Sequence, residues 1–141
     1  MYRSTTILLK SLAGYNDLKA YIEEHKEIFI ETSLAEHLCR LLEEKQLAKM
    51  DVVRQSELSK DYALQLFSGL RKTPSRNKLI CLCVAMGLSF EESDGLLKLA
   101  GLAPLYAKNK RDSIILYGIE HKQSVIKINQ SLHEHGEQTI G

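Results

Sequence analysis

Apolar positions recur every three or four residues along most of this chain, with polar residues between them. That is the period of amphipathic helices, not of strands. Leu34, Leu38, Leu41 and Leu42 mark one stripe, with Thr32 or Ser33 placed to cap it. Leu79, Leu82, Cys83 and Met86 mark another, opened by Ser75. Ser89 followed by Glu92 has capping-box spacing and starts a helix that should stop near Gly101. Upstream, Tyr15–Phe29 reads as one helix capped by Asn16, with Leu18 and Ile22 facing inward. Pro74 and Pro104 both fall between helical stretches, and no alternating run suggests a strand. The expected fold class is all-α, with about eight helices.

The stretch Lys49–Gly69, KMDVVRQSELSKDYALQLFSG, carries the most information. Val52, Val53, Leu58, Ala63 and Leu66 form one apolar face, with Phe67 beside it. The polar run Arg54-Gln55-Ser56-Glu57 interrupts it, so one short helix must end there and the chain must turn. Leu58 is the expected buried plug of that corner. Ser59 is a good N-cap, its hydroxyl placed to accept from the amide of Asp61 or Tyr62. Asp61 in the first turn suits the helix dipole. Two short helices joined by a tight corner, the second with a polar leading face, make the helix-turn-helix pattern.

With its neighbours, this segment resembles the Xre/Cro-type phage-repressor helix-turn-helix family over residues 34–89. The residues carrying the resemblance are LLEEKQLAKMDVVRQSELSKDYALQLFSGLRKTPSRNKLICLCVAMGLS. They run as a long first helix, two motif helices, Gly69, a basic turn with Pro74-Ser75, and a fourth helix ending in Gly87-Leu88-Ser89. Two positions depart from the family pattern: Val53 stands where a small residue is usual, and Glu57 where Gly is frequent. A left-handed backbone at Glu57 would cost about 1–2 kcal/mol. The resemblance implies a compact five-helix repressor-like helix-turn-helix domain over 33–103. Residues 1–32 would add an N-terminal arm and helix, and 104–141 a C-terminal helical hairpin.

That hairpin looks like a copy of what precedes it. A shift of 35 residues takes Arg76 to Arg111, Ser89 to Ser124, Leu97 to Leu132 and Gly101 to Gly136. Both copies have a basic start, a helix, a serine cap, a second helix and a glycine stop. Such a hairpin cannot bury its apolar face alone, so Ile114, Ile115, Ile119, Val125, Ile128 and Leu132 need a partner surface.

Net charge is only +1, which by itself does not point to nucleic acid. Its distribution changes the picture. Residues 34–87 hold nine basic and six acidic side chains, whereas the segments on either side are balanced or slightly acidic. The excess centres on Lys60, Arg71, Lys72, Arg76 and Lys78. Cys39, Cys81 and Cys83 are an odd set with no metal-ligand spacing, read as reduced core thiols of a cytoplasmic protein. No apolar run is long enough to span a bilayer, and no signal-peptide pattern is expected. The five histidines are scattered, and neither a catalytic constellation, a metal site nor a cofactor site is expected.

The expected function is sequence-specific binding of double-stranded DNA by a bacterial or phage transcriptional regulator. The second motif helix would enter the major groove. Base contacts would come from Lys60, Asp61, Tyr62 and Gln65. Gln65 suits adenine, and Lys60 suits guanine or phosphate. Tyr62 could meet a sugar or a thymine methyl, or pack on the corner, and Asp61 could accept from cytosine or only cap. Backbone contacts would come from Lys49, Ser59, Arg71, Lys72 and Arg76. A homodimer is expected, through Tyr15–Phe29 or through the C-terminal hairpin. The competing expectation is a protein-binding adaptor on the same scaffold, with a protein partner on the outer helices. Near-neutral charge and the acidic Asp61 favour that alternative.

Overall fold

Serine sets the start of most helices among the described residues. The computed structural model describes residues 18–20 and 33–141. The chain divides into two units, Met1–Thr32 and Ser33–Gly141. In the first unit Leu18, Lys19 and Ala20 are helical, and Leu18 is 64% exposed instead of inward. The rest of the expected Tyr15–Phe29 helix lies outside the described residues.

The second unit holds seven helices: α1 (Leu34–Glu44), α2 (Lys49–Gln55), α3 (Lys60–Ser68), α4 (Arg76–Ala85), α5 (Phe90–Leu99), α6 (Lys110–Glu120) and α7 (Val125–Glu134). The described residues contain no strand. Ser33, Ser59, Ser75, Ser89 and Ser124 cap α1, α3, α4, α5 and α7 through their hydroxyls. Asn109 caps α6, and α2 begins at Ala48 with no side-chain cap. Ser89 and Glu92 complete a reciprocal capping box. No helix among the described residues is long and apolar enough to cross a membrane.

One connector recurs at four corners. A helix ends, the next residue but one turns left-handed, and three residues later another helix starts. The left-handed residues are Gln46, Glu57, Gly87 and Lys122, with φ of 54, 61, 65 and 53°. At three corners the following amide returns to the helix just ended: Leu47 to Leu42, Leu88 to Cys83 and Gln123 to Gly118. Those bonds satisfy carbonyls that a helix end would otherwise leave open.

Helix α4 lies at the centre, against α2, α5 and α7. Its run Leu79–Val84 is buried at all six positions, not on one stripe. The segment LICLCVAM lacks a polar residue, and a helix apolar all round is a core helix. Helix α1 covers α3 and α5, and α6 packs on α5 and α7. Ser33–Gly141 is one compact unit.

The 35-residue shift also carries one set of contacts onto another. The Arg76 guanidinium donates to the Ala103 and Pro104 carbonyls, and Arg111 donates to those of Gln138 and Thr139. Leu105 N donates to Asp94 Oδ1 at 3.1 Å, and Ile140 N donates to Asn129 Oδ1 at 2.9 Å. Leu105 and Ile140 are both buried. Between the hairpins the contacts are exchanged: Arg76 pairs with Asp112, Arg111 reaches Asn77, α4 meets α7, and α5 meets α6. The hairpins thus face each other across a reciprocal interface, each covering the other's apolar side.

A candidate nucleic-acid interface

The α2–α3 corner is built on a buried hydroxyl. Ser56 is fully buried, and its Oγ donates to the Val53 carbonyl at 2.7 Å while accepting from Leu58 N at 3.2 Å. Leu58, the expected plug, is only half-buried. In the sequence Ser56 is one residue of a polar run, and its spacing from Val53 is the only local sign of this bond. Glu57 then takes the left-handed turn, and Ser59 Oγ accepts from Tyr62 N at 3.2 Å. Val52, Val53, Ala63, Leu66 and Phe67 seat both helices on the core. Val53 and Ala63 are both buried, one on each helix of the corner.

The leading face of α3 is open. Lys60 and Asp61 are exposed, and Gln65 and Tyr62 are half-exposed. Beyond α3, Gly69 turns left-handed with φ 85° and Arg71 N returns to the Gln65 carbonyl at 3.1 Å, which fixes the basic turn. Arg71 and Lys72 are exposed there.

Tyr62 organises this edge. Its hydroxyl accepts from Ser75 N at 3.1 Å, tying α3 to the start of α4. The Arg71 guanidinium and the Lys78 ammonium both lie over its ring, at 4.4 and 4.3 Å from the centroid. The half-exposed ring thus anchors two cations and links α3 to α4. Each such contact contributes about 0.5–1 kcal/mol at an exposed site, which offsets part of the repulsion between two like charges. Lys49 sits at the start of α2, its Nζ 6.0 Å from the Phe67 ring centroid.

Arg76 departs from the expected role. Its guanidinium makes a bidentate pair with the buried Asp112 carboxylate, at 3.2 and 2.9 Å, and grips two loop carbonyls. With its donors taken up inside the fold, it is a structural clamp and not a backbone contact. Cys39 also departs: it is exposed, while Cys81 and Cys83 are buried. Burial pushes the Cys81 thiol up to about 11 and the Cys83 thiol up to about 12, so both stay protonated near neutral pH.

Ion pairing separates the cations into two groups. Lys45, Arg54 and Arg76 pair with Glu92, Asp51 and Asp112. Lys60, Arg71, Lys72 and Lys78 form no ion pair with any described residue. Lys49, Lys98, Lys108 and Lys127 are likewise without an ion pair among the described residues, so what sets the α3 edge apart is that Arg71 and Lys78 gather over one ring beside Lys60 and Lys72. No family model, curated protein or solved structure matches this chain.

Proposed function

We propose that this protein binds double-stranded DNA in a sequence-specific manner and acts as a transcriptional regulator. In this reading α1–α5 form a repressor-like domain, α3 enters the major groove, and two copies bind a pseudo-palindromic site. The observation carrying the proposal is the set of unpaired cations Lys60, Arg71, Lys72 and Lys78 beside an open α3 face. Like charges gathered without counterions are relieved by phosphates, and releasing the counterions of DNA drives association. Gln65 and Lys60 would read bases, and Asp61, exposed next to Lys60, would face cytosine or serve the helix end. Ser59 and Lys49 would meet the backbone near the helix starts.

Band shifts on DNA selected from random fragments test the assignment. Gln65→Ala should weaken binding by about 1–3 kcal/mol at one base pair and leave other positions unaffected. Arg71→Ala should weaken all sequences alike. Equal, sequence-independent losses from both variants would refute the base-reading role of α3. Absence of binding by the parent chain would favour the adaptor alternative.

A further inference from the structure

We propose that the outward face of α6, with the groove beside it, is a docking surface for a basic amphipathic helix of a partner protein. A broken symmetry points there. The 35-residue shift that relates the two hairpins also relates two grooves, of about 540 and 470 Å³. Val125 and Ile126 of the first answer to Phe90 and Glu91 of the second, and Ala85 and Gly87 to Glu120 and Lys122. The first groove is walled by the α2–α3 corner, with Gln55 and Glu57 in its lining. The second is lined by α5, α6 and the residues flanking them, and no such corner stands over it.

The same asymmetry shows in single side chains. Helix α4 packs on α2 as well as on α5 and α7, whereas its counterpart α6 packs on α5 and α7. Leu82 of α4 is 0% exposed, and its counterpart Tyr117 of α6 is 58% exposed. Val125 is 1% exposed, and its counterpart Phe90 is 38% exposed. A face that one copy buries under its own chain is thus left open in the other, and it still carries two aromatic rings. Tyr117 stacks on His121 with centroids 3.9 Å apart, which holds its ring in one orientation. The chemistry of the partner follows from the charges. Where the chain supplies its own wall, Ala85 and Ile126 are uncharged; the open groove has Glu120 and Glu91 at those places. Both carboxylates are exposed, and neither forms an ion pair with a described residue. Lys122, the one cation of this lining, donates to the Gly87 carbonyl at 2.9 Å. Aromatic rings beside two unanswered carboxylates suit a helix with lysine or arginine flanking its apolar stripe. A second copy of the chain is a poor match, because its own groove offers no free cation to meet Glu91 and Glu120. The surface does not rest on the DNA-binding reading.

The test is a titration of the full-length chain with a designed amphipathic helical peptide of leucine and lysine, and with its leucine–glutamate counterpart, followed by the ring resonances of Phe90 and Tyr117. Saturable shifts of those rings are expected with the lysine peptide only. Tyr117→Ala, a change at an exposed position, should weaken that binding about tenfold or more. The double variant Glu91→Lys/Glu120→Lys should prefer the glutamate peptide, a gain that unfolding could not produce. Equal binding of the two peptides, undiminished binding by Tyr117→Ala, an unreversed preference in the double variant, or no saturable shift of the two rings would each overturn the proposal. Failure of DNA binding would leave it standing.

Discussion

At Glu57 the sequence and the backbone are in open conflict. A left-handed conformation costs a side-chain-bearing residue about 1–2 kcal/mol relative to glycine, and Glu57 adopts it at φ 61°. Glycine loses more entropy on folding, which takes back part of that gain. Glu57→Gly should therefore raise stability by roughly 0.5–1 kcal/mol, read from the midpoint of chemical denaturation at constant m-value. A loss of stability would mean that the carboxylate holds the corner. Glu92 makes a second residue-level case. Burial pushes its carboxyl up, but bonds from Ser89 and Lys45 outweigh that and hold it below the ordinary carboxylate range. A depressed pKa contributes stability that is complete above the unfolded value and lost as pH falls through the folded one. Stability should thus decline on acidification below the usual glutamate range, and Glu92→Gln should flatten that decline. An unchanged pH profile would contradict it.

Among the elements, the α6–α7 hairpin depends on a close approach at one glycine. A Cβ at Gly118 would fall 2.3 Å from Ile128 Cγ1, so the glycine lets the two helices approach. Alanine is the better helix former by about 1 kcal/mol, yet overpacking a filled core costs about 1–3 kcal/mol. Gly118→Ala should destabilise the fold on balance, seen as a lower thermal midpoint. A rise would show that the helices can part. Element starts were legible in the sequence because serine caps and the Glu92 box are local signals. The burial of α4 on all sides is not marked by a stripe, because its apolar run Leu79–Val84 has no polar face to define one. Arg76 misled for a physical reason: a basic residue in a basic turn looks the same whether it faces solvent or a buried carboxylate. Its partner Asp112 lies 36 positions away. Distance along the chain hid the clamp.

For the whole molecule, the 35-residue shift was visible in sequence as repeated punctuation, but its geometric meaning was not. Stacked copies and facing copies share one pattern of caps and stops. The exchanged contacts, Arg76 with Asp112 and Arg111 with Asn77, place the hairpins face to face. Each then fills the partner surface that the other's isoleucines and leucines require. The α3 edge brings Arg71 and Lys78 together over one ring, on a protein whose net charge is only +1. A net charge this small gives little overall field, so in the proposed reading attraction to DNA would come from that edge.

The most direct test is the salt dependence of DNA affinity for the parent chain and for Arg71→Gln/Lys78→Gln. Affinity of the parent should fall steeply with salt, and the double variant should lose about 0.9 of logarithmic slope for each phosphate contact removed. A flat response in the parent, or an unchanged slope in the double variant, would contradict the account.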